Sequence, residues 1–194
     1  SSRYVFSSSE LERQHRESNQ LEMKLKLATQ NMDFELYLQP QVANNNGQLK
    51  LTGAEALIRW PQLDGTMISP FKFISIAEKN GLINPIGIWV LEEVFRINEI
   101  LARESITIDL ALNVSIRQFE TDAFYQRLKA LLENKNRKDI NLAVEITESL
   151  FFNDVDKGID VLNQIKALGV KIALDDFGTG FSSMSYLNRL PVDY

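Results

Sequence analysis

The sequence predicts an α/β fold built on a mostly parallel sheet, closed as a barrel. Two observations carry that expectation. First, from Phe34 onward, apolar runs with a period of two alternate with amphipathic segments of helical spacing. Strand, helix, strand, helix is the rhythm of parallel strands joined by right-handed crossovers. Second, four of the expected strands repeat one short pattern in the same phase: Gly53/Glu55, Ala111/Asn113, Ala143/Glu145 and Ala173/Asp175. Residues two apart in a strand share a face, so each pair sets a small residue and then an oxygen-bearing side chain on one side. The rhythm alone fits an open doubly wound sheet or a barrel. The in-phase row of oxygens favours the barrel, whose interior takes alternate residues and whose sites gather at the carboxyl ends of the strands.

Each element has a local reason. Ser7-x-x-Glu10 fits a capping box, and a polar helix follows from about Ser9 to Gln30, with Leu11, Leu21, Leu25 and Ala28 as sparse apolar points. So polar a helix suits a bridge between domains. Phe34–Val42 and Leu49–Trp60 read as strands joined by the turn Asn44-Asn45-Asn46-Gly47, hence as a hairpin. Pro61–Ser69 reads as a loop. Pro70 opens a helix that Gly81 stops. Ile86, Val90, Val94, Ile97 and Leu101 mark a long amphipathic helix. Ile106–Val114 is the next strand, and Thr121 caps a helix whose apolar face is Phe124, Leu128 and Leu131. Lys135–Lys138 is a solvated basic turn. Leu142–Thr147 is a strand, Val155–Leu168 a helix with Val155, Leu162 and Ile165 inward, and Gly169 its stop. Lys171–Asp175 is the last strand, and a short helix is expected near Ser183–Arg189.

Composition narrows the chemistry. The chain has 194 residues, 44% hydrophobic and 24% charged, which suits one well-filled globular domain. A net charge of −5 argues against broad binding of DNA or RNA, though not against one small nucleotide in a local pocket. With no cysteine and one histidine, His15, thiolate and histidine-rich metal sites are excluded. A bound metal must therefore be held by oxygens, which points to magnesium, manganese or calcium. No apolar run reaches the roughly 18 residues of a membrane span. No signal peptide is visible, so the expected compartment is the cytoplasm, with a membrane anchor elsewhere in a parent protein left open.

The densest chemistry lies in Lys171-Ile-Ala-Leu-Asp-Asp-Phe-Gly-Thr-Gly-Phe181. Ala173 and Asp175 face one way, Ile172 and Leu174 the other. Asp176 follows at once, and Gly178 and Gly180 permit tight turns. A strand that ends in paired carboxylates and opens into a glycine-bearing loop is a plausible cation site. A single carboxylate at a strand end is often just solvated or a helix cap. Four oxygen-bearing side chains in one phase, each after a glycine or alanine, are hard to explain that way.

The motifs also carry a resemblance. Glu55-Ala-Leu-Ile-Arg-Trp60 resembles the signature of EAL domains, the cyclic di-GMP phosphodiesterases. Tyr37-Leu-Gln-Pro40, Asn113-Val-Ser115, Glu145-Ile-Thr-Glu148, Asp175–Ser183 and Ser185–Asp193 resemble further motifs of that family in the same order. The resemblance runs from Phe34 to Tyr194 and implies a (β/α)8 TIM-like barrel whose first strand is antiparallel. It implies that Glu55, Asn113, Glu145 and Asp175 hold one divalent cation, and that Asp175 bridges to a second held also by Asp176. Glu55, Asp175 and Asp176 would then be catalytic. Arg59 resembles a contact to the substrate phosphate, Gln39 and Leu57 resemble nucleotide-pocket residues, and Glu148 resembles the residue that steadies the Phe177–Ser183 loop. The implied reaction is hydrolysis of one phosphodiester of cyclic di-GMP to the linear dinucleotide, with Mg2+ or Mn2+ as cofactor and Ca2+ inhibitory.

About five of the eight family strands are expected within this chain. Residues 1–30 then read as the end of a preceding domain plus a helical linker, and residues 31–194 as the N-terminal two-thirds of the barrel. Residues 1–6 resemble the tail of a GGDEF (diguanylate cyclase) domain. The family's later lysine and glutamate have no counterpart here. The expectations are therefore an inactive or poorly active fragment of an active parent, and self-association through uncovered strand edges. Gln41 stands where the family has an apolar residue, and is expected at the barrel mouth. The alternative is a receptor domain that binds cyclic di-GMP without cleaving it. Such domains typically lose metal ligands, and all those visible here are present.

Overall fold

The computed structural model describes residues 8–134, 140–147, 155–175 and 189–193. In chain order the elements are α1 (Ser8–Asn31), β1 (Glu35–Asn45), β2 (Gln48–Pro61), β3 (Met67–Ile68), α2 (Pro70–Lys79), α3 (Ile83–Arg103) and β4 (Asp109–Asn113). A 3-10 turn (Ile116–Phe119), α4 (Ala123–Leu132), β5 (Asn141–Thr147), α5 (Val155–Ala167) and β6 (Lys171–Asp175) complete them. The sheet order is β1-β2-β4-β5-β6, with β3 pairing only with β2. β1 runs antiparallel to β2, and β2, β4, β5 and β6 are parallel. Among the described residues the sheet is not closed.

The hairpin forms where the asparagines predict it. Asn46 and Gly47 both have positive φ, 52° and 87°, the pair of values a tight mirror-image turn demands. The Asn44 side chain accepts the Gly47 N–H at 2.9 Å and fixes the turn. Gly81 and Gly169 also have positive φ, 70° and 85°, and stand just past the ends of α2 and α5.

Three local expectations need correcting. The segment expected as a loop over Pro61–Ser69 contains the two residues of β3, which fold back on Trp60 and Pro61. The strand expected from Ile106 begins only at Asp109. The reason lies in the end of α3. Ser105 turns to φ 60°, its N–H donates to the Ala102 carbonyl at 3.2 Å, and the Ile106 N–H reaches the Leu101 carbonyl at 2.9 Å. Ile106 is thus consumed by stopping the helix. Finally, Asp122, not Thr121, occupies the cap position of α4, and it makes no side-chain capping bond. The capping box at Ser7, the basic turn at 135–138 and the helix at 183–188 lie outside the described residues.

The two faces of the parallel strands separate as their alternation demands. Leu110, Leu112, Leu142, Val144, Ile146 and Ile172 are all buried in the core cluster, alongside Ile86, Val90, Val94, Leu128, Leu162 and Ile165 from the helices. Gly53, Ala111, Ala143 and Ala173 occupy the other face. At Gly53 the neighbouring strand comes too close for a side chain. A Cβ there would lie 2.9 Å from the Asp109 carbonyl oxygen and 2.9 Å from Gln41 Oε1. Gln41 pairs with Gly53 and so sits one layer below the row of oxygens, not beside it at the rim.

An aromatic cluster braces the site end of β1 and β2. Phe34, Trp60, Phe73 and Trp89 approach with ring centroids 5.6 to 6.0 Å apart. Phe34 stacks on Phe73, and the other pairs are tilted or edge-to-face. The cluster ties the start of β1, the end of β2, α2 and α3 into one block. The second half of α1 joins that block through Leu25 and Ala28. Residues 11–20 of α1 are exposed, as its polar sequence predicts.

Candidate functional site

The oxygens at the strand ends converge, along a slanted line. In the ladders Glu55 is level with Ala111, Asn113 with Glu145, and Asp175 with Thr147. Each step across the sheet therefore moves the oxygen-bearing residue up by one level or holds it. Such a stagger accompanies strands tilted about a common axis. The slant still brings side chains together, because diagonal neighbours on one face are within reach. Asn113 Nδ2 donates to Glu55 Oε1 at 2.6 Å. Glu145 is 9% exposed and shares a hydrogen bond with Glu55.

The electrostatics follow from this crowding. Burial first, then the negative charges of Glu55 and Asp175, push the Glu145 carboxyl up from 4.5 to about 7, and its hydrogen bond with Glu55 adds to the rise. One carboxylate in this group is therefore ready to carry a proton or to face a positive charge. Among the described residues, no three acidic side chains already close around a point as a complete metal cage. The donor set is nonetheless that of a hard cation: carboxylates from Glu55, Glu145 and Asp175, and the amide of Asn113. A cation would relieve the repulsion that holds the Glu145 proton in place, and the Asn113 amide would turn its oxygen inward.

Beside this group opens a cavity of about 400 Å³. Leu57, Arg59, Asn113, Glu145 and Asp175 all line it. Arg59 lies over the Tyr37 ring, 5.6 Å from its centroid, and Arg59 Nη1 donates to the Ile58 carbonyl at 3.0 Å. Stacking of this kind holds a guanidinium in place while leaving donors for an anion. Gln39 stands directly opposite Glu55 in the hairpin, and Tyr37 opposite Leu57. Directly paired residues share a face, so Gln39, Glu55, Leu57 and Arg59 are all on the site side. Asp176 and Glu148 lie outside the described residues, as does the 177–183 loop.

Sequence reasoning missed Glu78, Ser115 and Gln118, which also line the cavity. Ser115 and Gln118 form a capping box at the turn that follows β4. The signal was present as Ser-x-x-Gln starting two residues after Asn113. Glu78 left no such trace, because its partner Ser115 is 37 residues away in the chain.

Comparison with known proteins identifies a family. The chain matches the family model for the EAL domain over residues 22–194. It is 38% identical over 171 residues to the signaling protein YkoW of Bacillus subtilis, covering 88% of this chain and 21% of that protein. It is 35% identical over 173 residues to the cyclic di-GMP phosphodiesterase PdeR of Escherichia coli, covering 89% of this chain and 26% of that protein. The chain thus spans about a quarter or less of these relatives' length. Among solved structures, the EAL enzyme Bd1971 in its cAMP- and cyclic-di-GMP-bound form superimposes with a TM-score of 0.79 at 34% identity, over 93% of this chain and 50% of that one. With the family model matched over residues 22–194 and relatives and solved structures of that family aligned along most of its length, the chain belongs to the EAL domain family.

Proposed function

We propose that the chain carries the cation- and nucleotide-binding face of a cyclic di-GMP phosphodiesterase. The observation that supports this most is that Asn113 and Glu145 both hydrogen-bond Glu55 at the strand ends, with the Asp175 charge near enough to act on Glu145, beside a cavity that also holds Arg59. Relatives of this chain are named cyclic di-GMP phosphodiesterases, and EAL structures similar to it hold cyclic di-GMP.

In this reading Glu55, Asn113, Glu145 and Asp175 hold Mg2+ or Mn2+, and Asp176 adds to Asp175 for a second ion. Such ions lower the pKa of water and neutralise charge on the attacking and leaving oxygens. The chain's own residues do the rest. Arg59 pairs with a phosphate oxygen, with its guanidinium steadied on Tyr37. Leu57 shapes the side of the cavity where a base enters, with Gln39 on the same face of the neighbouring strand. The net reaction adds water across one phosphodiester and opens the ring to the linear dinucleotide.

Calorimetry of the chain with Mn2+ and then with cyclic di-GMP tests the reading. The wild type should bind the nucleotide in a cation-dependent way, and Glu55→Ala should lose most Mn2+ affinity. Ca2+ should support nucleotide binding in place of Mn2+. Nucleotide binding that is indifferent both to chelator and to Glu55→Ala would overturn the cation reading.

A further inference from the structure

We infer that Glu78, Ser115 and Gln118 form a side-chain clamp that sets the direction of Asn113, with a glycine at position 87 as its seat. The three are positioning residues, and the inference rests on the cation reading above. Asn113 ends β4, yet the ladder holds for one residue more: the Val114 N–H donates to the Glu145 carbonyl at 2.9 Å. Ser115 is where the chain leaves the sheet, and each of its polar atoms is engaged. Its N–H donates to Gln118 Oε1 at 2.9 Å, and its carbonyl accepts the Gln118 N–H at 3.0 Å. Its hydroxyl donates to Glu78 Oε1 at 2.6 Å and accepts the Arg117 N–H at 3.3 Å.

These bonds fix the backbone on the far side of Asn113, as the ladder fixes it on the near side. What is left to the amide is rotation of its own side chain. Loss of a hydrogen bond to a metal ligand commonly weakens metal affinity by about 10- to 100-fold, and a clamp on the backbone beside the ligand should act in the same direction but more weakly.

Gln118 can hold this place because of α3. It is 2% exposed, and its Nε2 lies only 1.7 Å from where a Cβ on residue 87 would sit. An alanine there would displace it. Gly87 lies inside α3, where glycine costs roughly 0.5–1 kcal/mol relative to alanine. The contact with Gln118 accounts for a glycine at that position. Glu78, on α2, lines the same cavity as Asn113 and Glu145, but its Oε1 is taken by Ser115. The clamp thus joins α2, α3 and the end of β4 behind one candidate ligand.

The test is Mn2+ titration of the chain by calorimetry, with thermal unfolding in chelator as the control for folding. Gln118→Ala and Gly87→Ala should each weaken Mn2+ binding, by up to about tenfold. Gln118→Glu keeps an acceptor for the Ser115 N–H and should bind close to the wild type. Gly87→Ala combined with Gln118→Ala should be no worse than Gln118→Ala alone, because the displaced amide is gone. If Gln118→Ala does not fold, Ser115→Ala, which loses only a hydroxyl, should show the same weakening. If Glu55→Ala abolishes binding while folded Gln118→Ala or Ser115→Ala binds like the wild type, the clamp is wrong and the cation site stands. If Glu55→Ala has no effect on Mn2+ binding, the cation site fails and the clamp with it.

Discussion

Replacing Glu145 with glutamine should make the ion-free chain more stable at pH 8 and leave it nearly unchanged at pH 5. In the folded chain the carboxyl titrates near 7 against an ordinary 4.5, through burial and the nearby charges of Glu55 and Asp175. Between those two values the folded state holds a proton that the unfolded state has released. Stability from this group is therefore fully present below about pH 4.5 and is lost as pH rises through about 7. The rise from 4.5 to about 7 corresponds to roughly 3 kcal/mol. Glutamine is neutral throughout and keeps a donor for Glu55, so it lacks this loss. For a chain of this length, about 3 kcal/mol should appear as a gap of roughly 6–12 °C in Tm between variant and wild type at pH 8. Thermal unfolding in chelator at pH 5, 6, 7 and 8 measures it. Taking the difference between the two proteins at each pH cancels the titrating groups that do not interact with Glu145, and leaves Glu145 with its coupled neighbours Glu55 and Asp175. Tm curves that run parallel across the whole range would refute the reasoning. Added Mg2+ should close the gap at pH 8 by stabilising the wild type, because the ion replaces the proton as the source of positive charge.

Two further substitutions probe other links. Gly53→Ala must push β2 away from the Asp109 carbonyl and from Gln41, each 2.9 Å from the new atom, and should cost about 1–3 kcal/mol by urea unfolding. A Cβ accepted with no change in the midpoint would mean that β2 and β4 are not so closely apposed. Arg59→Ala removes a charge that lines the cavity without touching the carboxylates, so Mn2+ affinity should hold while cyclic di-GMP affinity falls by about 10- to 100-fold, the worth of a charged hydrogen bond.

The parity of four short strands was enough to find the row of oxygens, because alternation is a local property that the sheet cannot change without exposing Leu110, Leu142 or Ile172. The hairpin and the stops at Gly81 and Gly169 were legible for a similar reason: positive φ is costly for most residues, and glycine or asparagine marks it. Element ends were harder. Ile106 has the composition of a strand residue, but the Ser105 turn assigns its N–H to the helix before it. Ser105 is a poor marker of a left-handed position, so nothing in the letters announced the stop. β3 is hidden for another reason. Its two residues are held by pairing with Trp60 and Pro61, and so short a strand has no periodicity to read.

The stagger of the ladders lay beyond parity altogether. Alternation says which face a residue takes, not how far along the sheet its partner sits. Sequence alone would allow Glu55 and Asn113 to be level, but the ladder sets Glu55 opposite Ala111 instead. Gly53 bears on this offset. It faces Asp109 across the ladder, where there is no room for a Cβ, and so lets β2 and β4 meet in the register that leaves Glu55 one level below Asn113. The amide then reaches down to the carboxylate, 2.6 Å away, while Glu145 lies beside it on the next strand. Had the four been level, each would have met its neighbour directly across the strands at the spacing of the sheet. The slant instead sets Asn113, Glu145 and Asp175 along the cavity wall, with Glu55 bonded to Asn113 beside it, so that oxygens from several strands lie near one another. The small residues therefore do more than make room beneath the site; at Gly53 they permit the register that aims the oxygens.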